Sequence, residues 1–304
     1  MKIKPLLTIT ICTYKRADYL KDTLAGLSVQ TADYRQFEIL VVNNNSTDHT
    51  VSVCSQFKKE NPDLNFRMVT ETVQGLSQAR NRAFSEAASS HILYIDDDVR
   101  INPEFVEQGI GCLHQIPDLK CAGGRILVTF EGSDPGWIPS ELMPMFGYRD
   151  LGDQKKIYPD DNFPCGCNML IHKELFEKTG MFDTELGRKG PELTGSEEKA
   201  FFERVRKKGF NIWYLPELTL HHRIGENRLQ KEYLRKQSIG IGFSEYLRLR
   251  HSFLKLTRKL FFEMIKLCGS FVLSIGYLAM GNVKAASFII IFRFWVLKGF
   301  FKRT

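Results

Sequence analysis

An apolar run that ends in three consecutive aspartates, Ile-Leu-Tyr-Ile-Asp-Asp-Asp-Val at residues 92–99, is the strongest constraint on the fold of this chain. Three adjacent carboxylates are expensive to bury unless a cation compensates them. Such a cluster is favoured where a strand ends at the carboxyl edge of a parallel sheet and faces a ligand crevice. Two carboxylates one residue apart can share a hard divalent cation, which can hold a diphosphate. The pattern predicts a strand that ends at a metal site, with a solvated acidic turn as the alternative.

Strand and helix patterns alternate through the first 100 residues. The sequence predicts strands at 7–12, 37–42, 66–70 and 92–95, and helices at 18–30, 50–59 and 77–88. This order is typical of parallel βαβ units. We therefore predict an α/β fold with a doubly wound mixed, mostly parallel sheet.

The alternation loosens beyond residue 99. Further helices are predicted at 103–115, 173–179 and 197–208, and the last strands at 212–215 and 218–221. Residues 131–164 are rich in Gly, Pro and Asp, which is typical of a long binding loop or lid. From residue 226 the pattern is mostly helical. We predict an α/β domain over residues 1–225 and a C-terminal helical appendage over 226–304.

Positive charge is concentrated in that appendage. Residues 226–304 contain 15 Lys/Arg and 4 Asp/Glu, a net charge of +11 against +7 for the whole chain, so residues 1–225 carry −4. A basic, apolar tail favours an anionic membrane surface as partner, and no nucleic-acid motif accompanies it. Basic side chains near its start are expected to face anionic headgroups: Arg248, Arg250, Lys255, Arg258 and Lys259.

The apolar part of the tail leaves three arrangements open. Residues 267–283 carry no charge over 17 residues, whereas a spanning helix needs roughly 20. A helical hairpin in or on the membrane surface is preferred over a transmembrane span or packing onto protein. The seven cysteines have no framework spacing and are expected to be reduced, and residues 6–12 indicate a strand rather than a cleavable signal. We predict a cytoplasmic protein, peripheral on the inner face of the cell membrane.

Polar residues follow each early strand, but the usual phosphate loops do not. Neither a Gly-x-Gly-x-x-Gly nor a Walker-type Gly-Lys-Ser is present. A carboxylate-bound metal would then be the means of holding a phosphate.

The ordered motifs resemble family 2 glycosyltransferases of the GT-A fold, particularly bacterial enzymes of surface-polysaccharide assembly. The resemblance covers roughly residues 7–245 and implies a nucleotide-sugar half over about 1–100 and an acceptor half over about 101–225. It rests on five segments in order: Cys-Thr-Tyr-Lys-Arg (12–16), Val-Val-Asn-Asn-Asn-Ser-Thr-Asp (41–48), Gly-Leu-Ser-Gln-Ala-Arg-Asn (75–81), Asp-Asp-Asp (96–98), and Gly-Cys-Asn (166–168) through Gly-Met-Phe-Asp (180–183) to Gly-Ser-Glu-Glu (195–198).

The resemblance implies roles for single residues. Thr13 and Tyr14 would line the nucleobase pocket, with Arg80 opposite them. Asn43 stands where the family more often has an Asp contacting the base, a change that keeps hydrogen bonding and removes a charge. Asp98 would ligate the metal, Asp96 would contact the ribose or the metal, and Asp97 would support them. The remaining nucleotide-sugar contacts are expected from Arg16, Asn45, Gly166 and Asn168.

The acidic pair at 197–198 occupies the place of the family's catalytic Glu-Asp pair. Glu198 is the preferred general base and Glu197 the alternative. His222 is expected to complete the metal shell or touch the diphosphate, with a structural role as the alternative. Trp137, in the long loop, would either stack on a sugar ring or cap the core.

Together these features imply an inverting, metal-dependent glycosyltransferase using Mg²⁺ or Mn²⁺. It would move a sugar from a nucleoside-diphosphate sugar, a UDP-sugar being favoured, to a hydroxyl of a glycan or lipid-linked glycan. Two alternatives stay open. A nucleotidyltransferase would be expected to carry a glycine-rich loop where residues 12–16 have no glycine. A non-catalytic GT-A-like glycan-binding protein would be expected to have lost Asp98 or both glutamates.

Overall fold

A computed structural model describes residues 4–132, 134–190 and 192–302 of the chain. The strands in these ranges are β1 (Leu7–Thr13), β2 (Phe37–Asn43), β3 (Phe66–Thr70), β4 (His91–Ile95), β5 (Val99–Ile101), β6 (Cys121–Phe130), β7 (Lys156–Ile157), β8 (Asn168–His172) and β9 (Trp213–Ile224). The helices are α1 (Ala17–Ser28), α2 (Thr50–Glu60), α3 (Leu76–Glu86), α4 (Phe105–Gln115), α5 (Lys173–Thr179), α6 (Glu197–Lys207), α7 (Lys231–Leu249), α8 (Phe253–Ala279) and α9 (Val283–Phe300). Short 3₁₀ segments lie at Ser140–Phe146 and Glu226–Leu229.

The strands form one mixed sheet in the order β3-β2-β1-β4-β8-β6-β9-β5, with β7 beside β9. Neighbouring strands from β3 to β4 are parallel. Strand β8 is antiparallel to both β4 and β6, and β9 is antiparallel to β5 and β7. The predicted α/β class with a mixed sheet is confirmed.

Strands β2 and β4 are buried on both faces, which explains their continuous apolar runs. Because side chains alternate across a strand, Ile39 and Val41 join one core cluster while Leu40 and Val42 join a second. These four side chains are fully buried. Burying side chains of this size on both faces contributes roughly 1.5–3 kcal/mol for each residue.

The parallel register brings the ends of three strands to one edge. Thr13 at the end of β1 pairs with Asn43 at the end of β2. Ile11 pairs with Ile95, so Asp96 follows β4 at the same edge. The aspartate turn therefore lies beside the polar segments that follow β1 and β2.

The sequence patterns did not predict four strands, β5, β6, β7 and β8, and they divided another strand in two. The pattern does not indicate β6, because Gly123 and Gly124 weaken a strand signal; a Cβ on Gly124 would overlap the carbonyl oxygen of Leu218, so glycine allows the close approach of β9. The two strands predicted at 212–215 and 218–221 are one strand, β9, which continues through Pro216.

The chain divides into two compact units. We call residues 1–129, 147–183 and 198–223 the sheet unit, and residues 130–146, 184–197 and 224–304 the tail unit. The tail unit thus takes in two earlier segments besides the predicted appendage. The division at residue 225 into two domains stays a prediction.

Within the tail unit, α9 packs closely against α7. A Cβ on Gly242 of α7 would overlap the carbonyl oxygen of Val296, and a Cβ on Gly299 of α9 would overlap that of Ile239. Trp137 of the long loop contacts Phe288 of α9 edge-to-face, with 5.2 Å between ring centroids. This contact matches the core-capping alternative for Trp137.

Helix α8 has an inverted distribution of polarity. Its buried residues are Glu263, Leu267, Ser270 and Ser274, a stripe at helical spacing that is mostly polar. Its exposed residues are large and apolar, and include Phe253, Leu254, Phe261, Val272 and Ile275 with exposed fractions of 64–82%. Among the described residues, this helix is the one long and apolar enough to cross a membrane.

The expectation that five basic residues face headgroups was wrong for two of them. Arg248 and Lys259 have side chains only 8% and 19% exposed, and both form ion pairs with Glu245. Arg250 pairs with Glu185 at 2.7 Å. Lys255 and Arg258 are exposed on α8.

Candidate active site

The aspartate turn after β4 is buried at two of its three positions. The side chains of Asp97 and Asp98 are 5% and 0% exposed, whereas that of Asp96 is 37% exposed. Arg16 compensates the buried pair, lying 3.0 Å from Asp97 Oδ1 and 2.7 Å from Asp98 Oδ2. The hydroxyl of Thr13 donates to Asp97 Oδ2 at 2.7 Å. The end of β1 therefore holds the turn by charge and by hydrogen bonding.

The pKa values of Asp97 and Arg16 reflect this arrangement. Burial raises the pKa of Asp97 to about 6, although Arg16 and the Thr13 hydrogen bond oppose that rise. Burial alone would lower the pKa of Arg16, but Asp97 and Asp98 hold it above the ordinary value. Asp97 thus links the turn to Arg16 and Thr13, and its supporting role in donor binding stays a prediction.

Asp96, Asp98 and His222 form a group that could hold a metal ion. One ligand atom from each lies within 4.8 Å of the others, and His222 Nε2 is 3.3 Å from Asp98 Oδ1. The antiparallel pairing of β5 with β9 sets Val99 opposite His222. Strand alternation then buries His222 and exposes His221. Two carboxylates and an imidazole suit Mg²⁺ or Mn²⁺, so the donor set fits the predicted cofactor.

Arg80 connects this group with the acidic pair. Its side chain is 2% exposed, and its guanidinium lies 3.1 Å from Glu198 Oε1 and 4.0 Å from Asp96 Oδ1. The hydroxyl of Tyr94, on β4, donates to the Arg80 carbonyl at 3.1 Å. The side chain of Glu198 is 17% exposed, whereas Glu197 is 2% exposed. Residues from α3, the β4 turn and α6 therefore meet at one place in the sheet unit.

Gly166 lies directly against this junction. A Cβ at Gly166 would overlap both the Arg80 guanidinium and Glu198 Oε1. Gly166 therefore lies beside the candidate base, and a side chain at this position would require Arg80 and Glu198 to shift.

A Gly166→Ala variant is expected to lose at least about tenfold in kcat and about 1–3 kcal/mol of unfolding free energy, because the new methyl group displaces Arg80 and Glu198. Gly111→Ala is the matched control, since a Cβ at Gly111 in α4 meets nothing within 4 Å. Steady-state kinetics and urea unfolding measure both effects. Equal kinetics for the two variants would contradict the tight packing at Gly166.

The other predicted site residues differ in burial and in their hydrogen bonds. Tyr14 is half-buried at the strand edge and Asn45 is exposed with a φ of 61°. Asn43 is buried and its Oδ1 accepts from the Ser46 amide at 2.9 Å. Asn168 is fully buried, and its amide nitrogen donates to the Leu218 carbonyl at 2.7 Å. The side chain of Asn168 thus links strands, and its contact with a sugar stays a prediction.

Two supporting residues escaped the sequence patterns. Thr23 donates to the carbonyls of Asp97 and Val99 at 2.7 and 3.0 Å, which fixes the turn from α1. Its signal was a polar residue on the leucine-lined face of that helix. Asn44 donates to the Val73 carbonyl at 2.8 Å and accepts from the Gly75 amide at 2.8 Å, which fixes the segment before α3.

Known proteins with similar sequences are glycosyltransferases. The sequence model of glycosyl transferase family 2 matches residues 8–180, more than half of the chain. Glucosyl-dolichyl phosphate glucuronosyltransferase of Haloferax volcanii is 22% identical over 241 residues, covering 78% of this chain and 75% of its own length. The putative teichuronic acid biosynthesis glycosyltransferase TuaG of Bacillus subtilis is 27% identical over 230 residues, covering 74% and 82%.

Solved structures show the same fold at low identity. The mannosyltransferase PcManGT from Pyrobaculum calidifontis, in complex with GDP-Man and Mn²⁺, has a TM-score of 0.62 at 15% identity, covering 97% of this chain and 86% of its own. S. aureus TarS 1–349 has a TM-score of 0.54 at 17% identity; the match covers 78% of this chain but 65% of TarS 1–349. The sheet, the ordered motifs and the family match agree: the chain belongs to glycosyltransferase family 2 and has the GT-A fold.

Proposed function

We propose that the sheet unit transfers a sugar from a nucleoside-diphosphate sugar, a UDP-sugar being favoured, to a hydroxyl of a glycan or lipid-linked glycan. The observation that carries the proposal is the junction at Arg80, which lies 3.1 Å from Glu198 and 4.0 Å from Asp96 beside the Asp98–His222 pair. The names of relatives support assembly of a surface polysaccharide or glycoconjugate, since they include a dolichyl phosphate glucuronosyltransferase, a teichuronic acid glycosyltransferase and a succinoglycan biosynthesis protein.

Donor binding is assigned to the edge formed by β1, β2 and β4. Thr13 and Asn43 are the last residues of β1 and β2, and Tyr14 follows β1, at the edge where a nucleobase would lie. Asp96, Asp98 and His222 would hold Mg²⁺ or Mn²⁺, and this ion, when bound, supplies positive charge to the leaving diphosphate. Arg16 orients the carboxylate of Asp98 through its contact at 2.7 Å.

Glu198 is assigned as the general base. It is the more exposed of the two glutamates, and Arg80 fixes its carboxylate at 3.1 Å. In an inverting displacement the acceptor oxygen bonds to the anomeric carbon as the bond from that carbon to the phosphate oxygen breaks. The hydroxyl proton passes to Glu198, and the nucleoside diphosphate leaves with the bonding electron pair.

A donor panel tests this proposal. The full chain is incubated with Mn²⁺, UDP-, GDP- and TDP-sugars and a set of glycan and lipid-linked acceptors, and products are identified by mass spectrometry. We expect a product heavier by one sugar residue, with release of a nucleoside diphosphate and an inverted anomeric configuration by NMR. Release of pyrophosphate would instead indicate a nucleotidyltransferase, and binding of glycan without turnover of any donor would indicate a non-catalytic protein.

The tail unit is proposed to hold the enzyme at the cytoplasmic face of an anionic membrane. Soluble helices bury their apolar face, but α8 buries Glu263, Ser270 and Ser274 and exposes aromatic and aliphatic side chains. An exposed apolar surface of this kind indicates an interaction site. Lys255 and Arg258 lie exposed on the same helix, which suits anionic headgroups.

Introducing charge into this surface is expected to release the protein from membranes. The double variant Val272→Asp/Ile275→Asp changes side chains that are 71% and 68% exposed, and carboxylates are disfavoured both by the lipid interior and by anionic headgroups. Sedimentation with phosphatidylglycerol-containing vesicles should show at least about tenfold weaker binding at unchanged Tm. Val29→Asp/Val51→Asp, exposed apolar positions of the sheet unit, should bind as the unaltered protein does; equal binding by all three proteins would contradict the membrane assignment.

A further inference from the structure

The segment that leads into the acidic pair is fastened to α7. Two residues before Glu198, the Ser196 hydroxyl donates to Glu245 Oε1 at 3.2 Å, and the Gly195 amide donates to Ser244 Oγ at 2.8 Å. Ser196 has a φ of 70°, a left-handed conformation that non-glycine residues rarely adopt. Such a conformation persists when surrounding contacts hold it. These two hydrogen bonds from α7 are contacts of that kind.

Close backbone packing adds to this attachment. A Cβ on Gly240 of α7 would overlap the carbonyl oxygen of Leu193. One turn later the Ser244 hydroxyl donates to the Gly240 carbonyl at 2.6 Å while accepting from Gly195. The segment before Glu198 is therefore attached to α7 by backbone packing as well as by hydrogen bonds.

Lys259 of α8 lies between two buried carboxylates. Its Nζ is 2.9 Å from Glu245 Oε2 and 3.1 Å from Glu263 Oε1, and these glutamates are 6% and 4% exposed. Glu245 also pairs with Arg248 at 2.8 Å. Burial would lower the pKa of Lys259, but the two carboxylates raise it above the ordinary value, so the ammonium stays charged. Lys259 thus ties α8 to the glutamate that accepts from Ser196.

Lys259 therefore joins two features of the tail unit. Its own helix carries the exposed apolar face, and its partner Glu245 holds Ser196, two residues before the proposed base. A rigid helix that settles on a lipid surface would transmit that restraint through Lys259 and Glu245 to the segment that positions Glu198.

We propose that Lys259 and Glu245 are positioning residues that couple docking of α8 on an anionic lipid surface to alignment of the base-bearing segment, so that membrane-bound enzyme turns over faster than free enzyme. This inference rests on the proposed function, both for the role of Glu198 and for the membrane. Neither Lys259 nor Glu245 is assigned a contact with substrate.

The test compares Lys259→Met with Lys266→Met in the full chain. Both lysines are on α8 and both pair with Glu263, Lys266 at 3.0 Å, but Lys259 also reaches Glu245. Rates of nucleoside diphosphate release are measured with and without phosphatidylglycerol vesicles, and vesicle binding is measured separately by sedimentation. We expect vesicles to raise kcat of the unaltered chain and of Lys266→Met by at least about fivefold with donor KM nearly unchanged, because restraint of the base affects the chemical step. Lys259→Met should bind vesicles normally and lose this stimulation, and Lys259→Arg should restore it.

Any other outcome would overturn either the coupling or the proposed function on which it rests. Stimulation that persists in Lys259→Met at normal vesicle binding would overturn the coupling, and so would an unaltered chain that binds vesicles without any change in kcat. Equal loss of stimulation in Lys259→Met and Lys266→Met would overturn it too, since Glu263 alone would then be responsible. Absence of donor turnover in every protein would instead reject the proposed function, and a chain that turns over donor but never binds vesicles would reject its membrane part together with the coupling.

Discussion

Replacing Asp98 with asparagine is expected to lower kcat/KM for the donor by at least about 10³-fold. Asp98 is fully buried, and its two oxygens contact Arg16 at 2.7 Å and His222 at 3.3 Å. The amide removes the negative charge from the centre of the proposed ligand set and leaves Arg16 and His222 facing a neutral group. Both effects weaken the binding of a divalent cation at this site, so the leaving diphosphate loses its compensating charge. Kinetics over a range of Mn²⁺ concentrations should show a higher metal requirement together with the lower rate.

Asp22→Asn is the matched control for this substitution. Asp22 also pairs with an arginine in the sheet unit, Arg223 at 2.6 Å, but its side chain is 54% exposed. Exposed ion pairs contribute about 0–1 kcal/mol, so activity should change little. Thermal unfolding of both variants shows whether a loss of rate reflects a loss of fold. An Asp98→Asn protein that is folded and retains full metal-dependent activity would contradict the assignment.

Replacing Glu198 with glutamine is expected to lower kcat by about 10²–10⁴-fold with donor binding unchanged. The amide keeps the size of the side chain and its contact with Arg80, which is 3.1 Å from Glu198 in the structure. It cannot accept the proton of the acceptor hydroxyl. Single-turnover rates and calorimetric binding of the donor measure the two quantities separately.

Glu197→Gln distinguishes the two glutamates. Glu197 is 2% exposed at the first position of α6, so we expect its loss to act mainly on stability. If Glu197→Gln abolished turnover in a folded protein while Glu198→Gln remained active, the base would be Glu197. Comparable activity of both variants with the unaltered enzyme would remove the acidic pair from the mechanism.

Local sequence patterns were sufficient to predict the strands that are buried on both faces. The runs predicted as strands at 37–42 and 92–95 appear as β2 and β4 within one residue, because a short apolar run that is buried on both faces is typical of a strand. Strand β6 was not predicted, because its glycines have low strand propensity. In the structure, the glycine at position 124 allows β9 to approach closely. The tight packing at Gly124 depends on a strand distant in sequence, which no local window contains.

The candidate site and the tail unit likewise contain features that the sequence predicted and features that it did not. The grouping of Asp96, Asp98 and His222 was implied by the resemblance to family 2 glycosyltransferases, and the structure brings their ligand atoms within 4.8 Å of one another. The roles of Arg248 and Lys259 could not be predicted from local sequence, because their partner Glu245 lies in a region of net positive charge that suggested a solvated basic face. Composition indicated the charge of the tail, but only tertiary structure shows which cations are paired.

Titration of Mn²⁺ followed by electron paramagnetic resonance, with and without UDP, tests the central claim most directly. We expect one bound Mn²⁺ in the unaltered chain, tighter binding in the presence of UDP because ion and diphosphate share a site, and loss of both effects in Asp98→Asn. Mn²⁺ binding that is equal in the unaltered chain and in Asp98→Asn, or that does not respond to UDP, would contradict it.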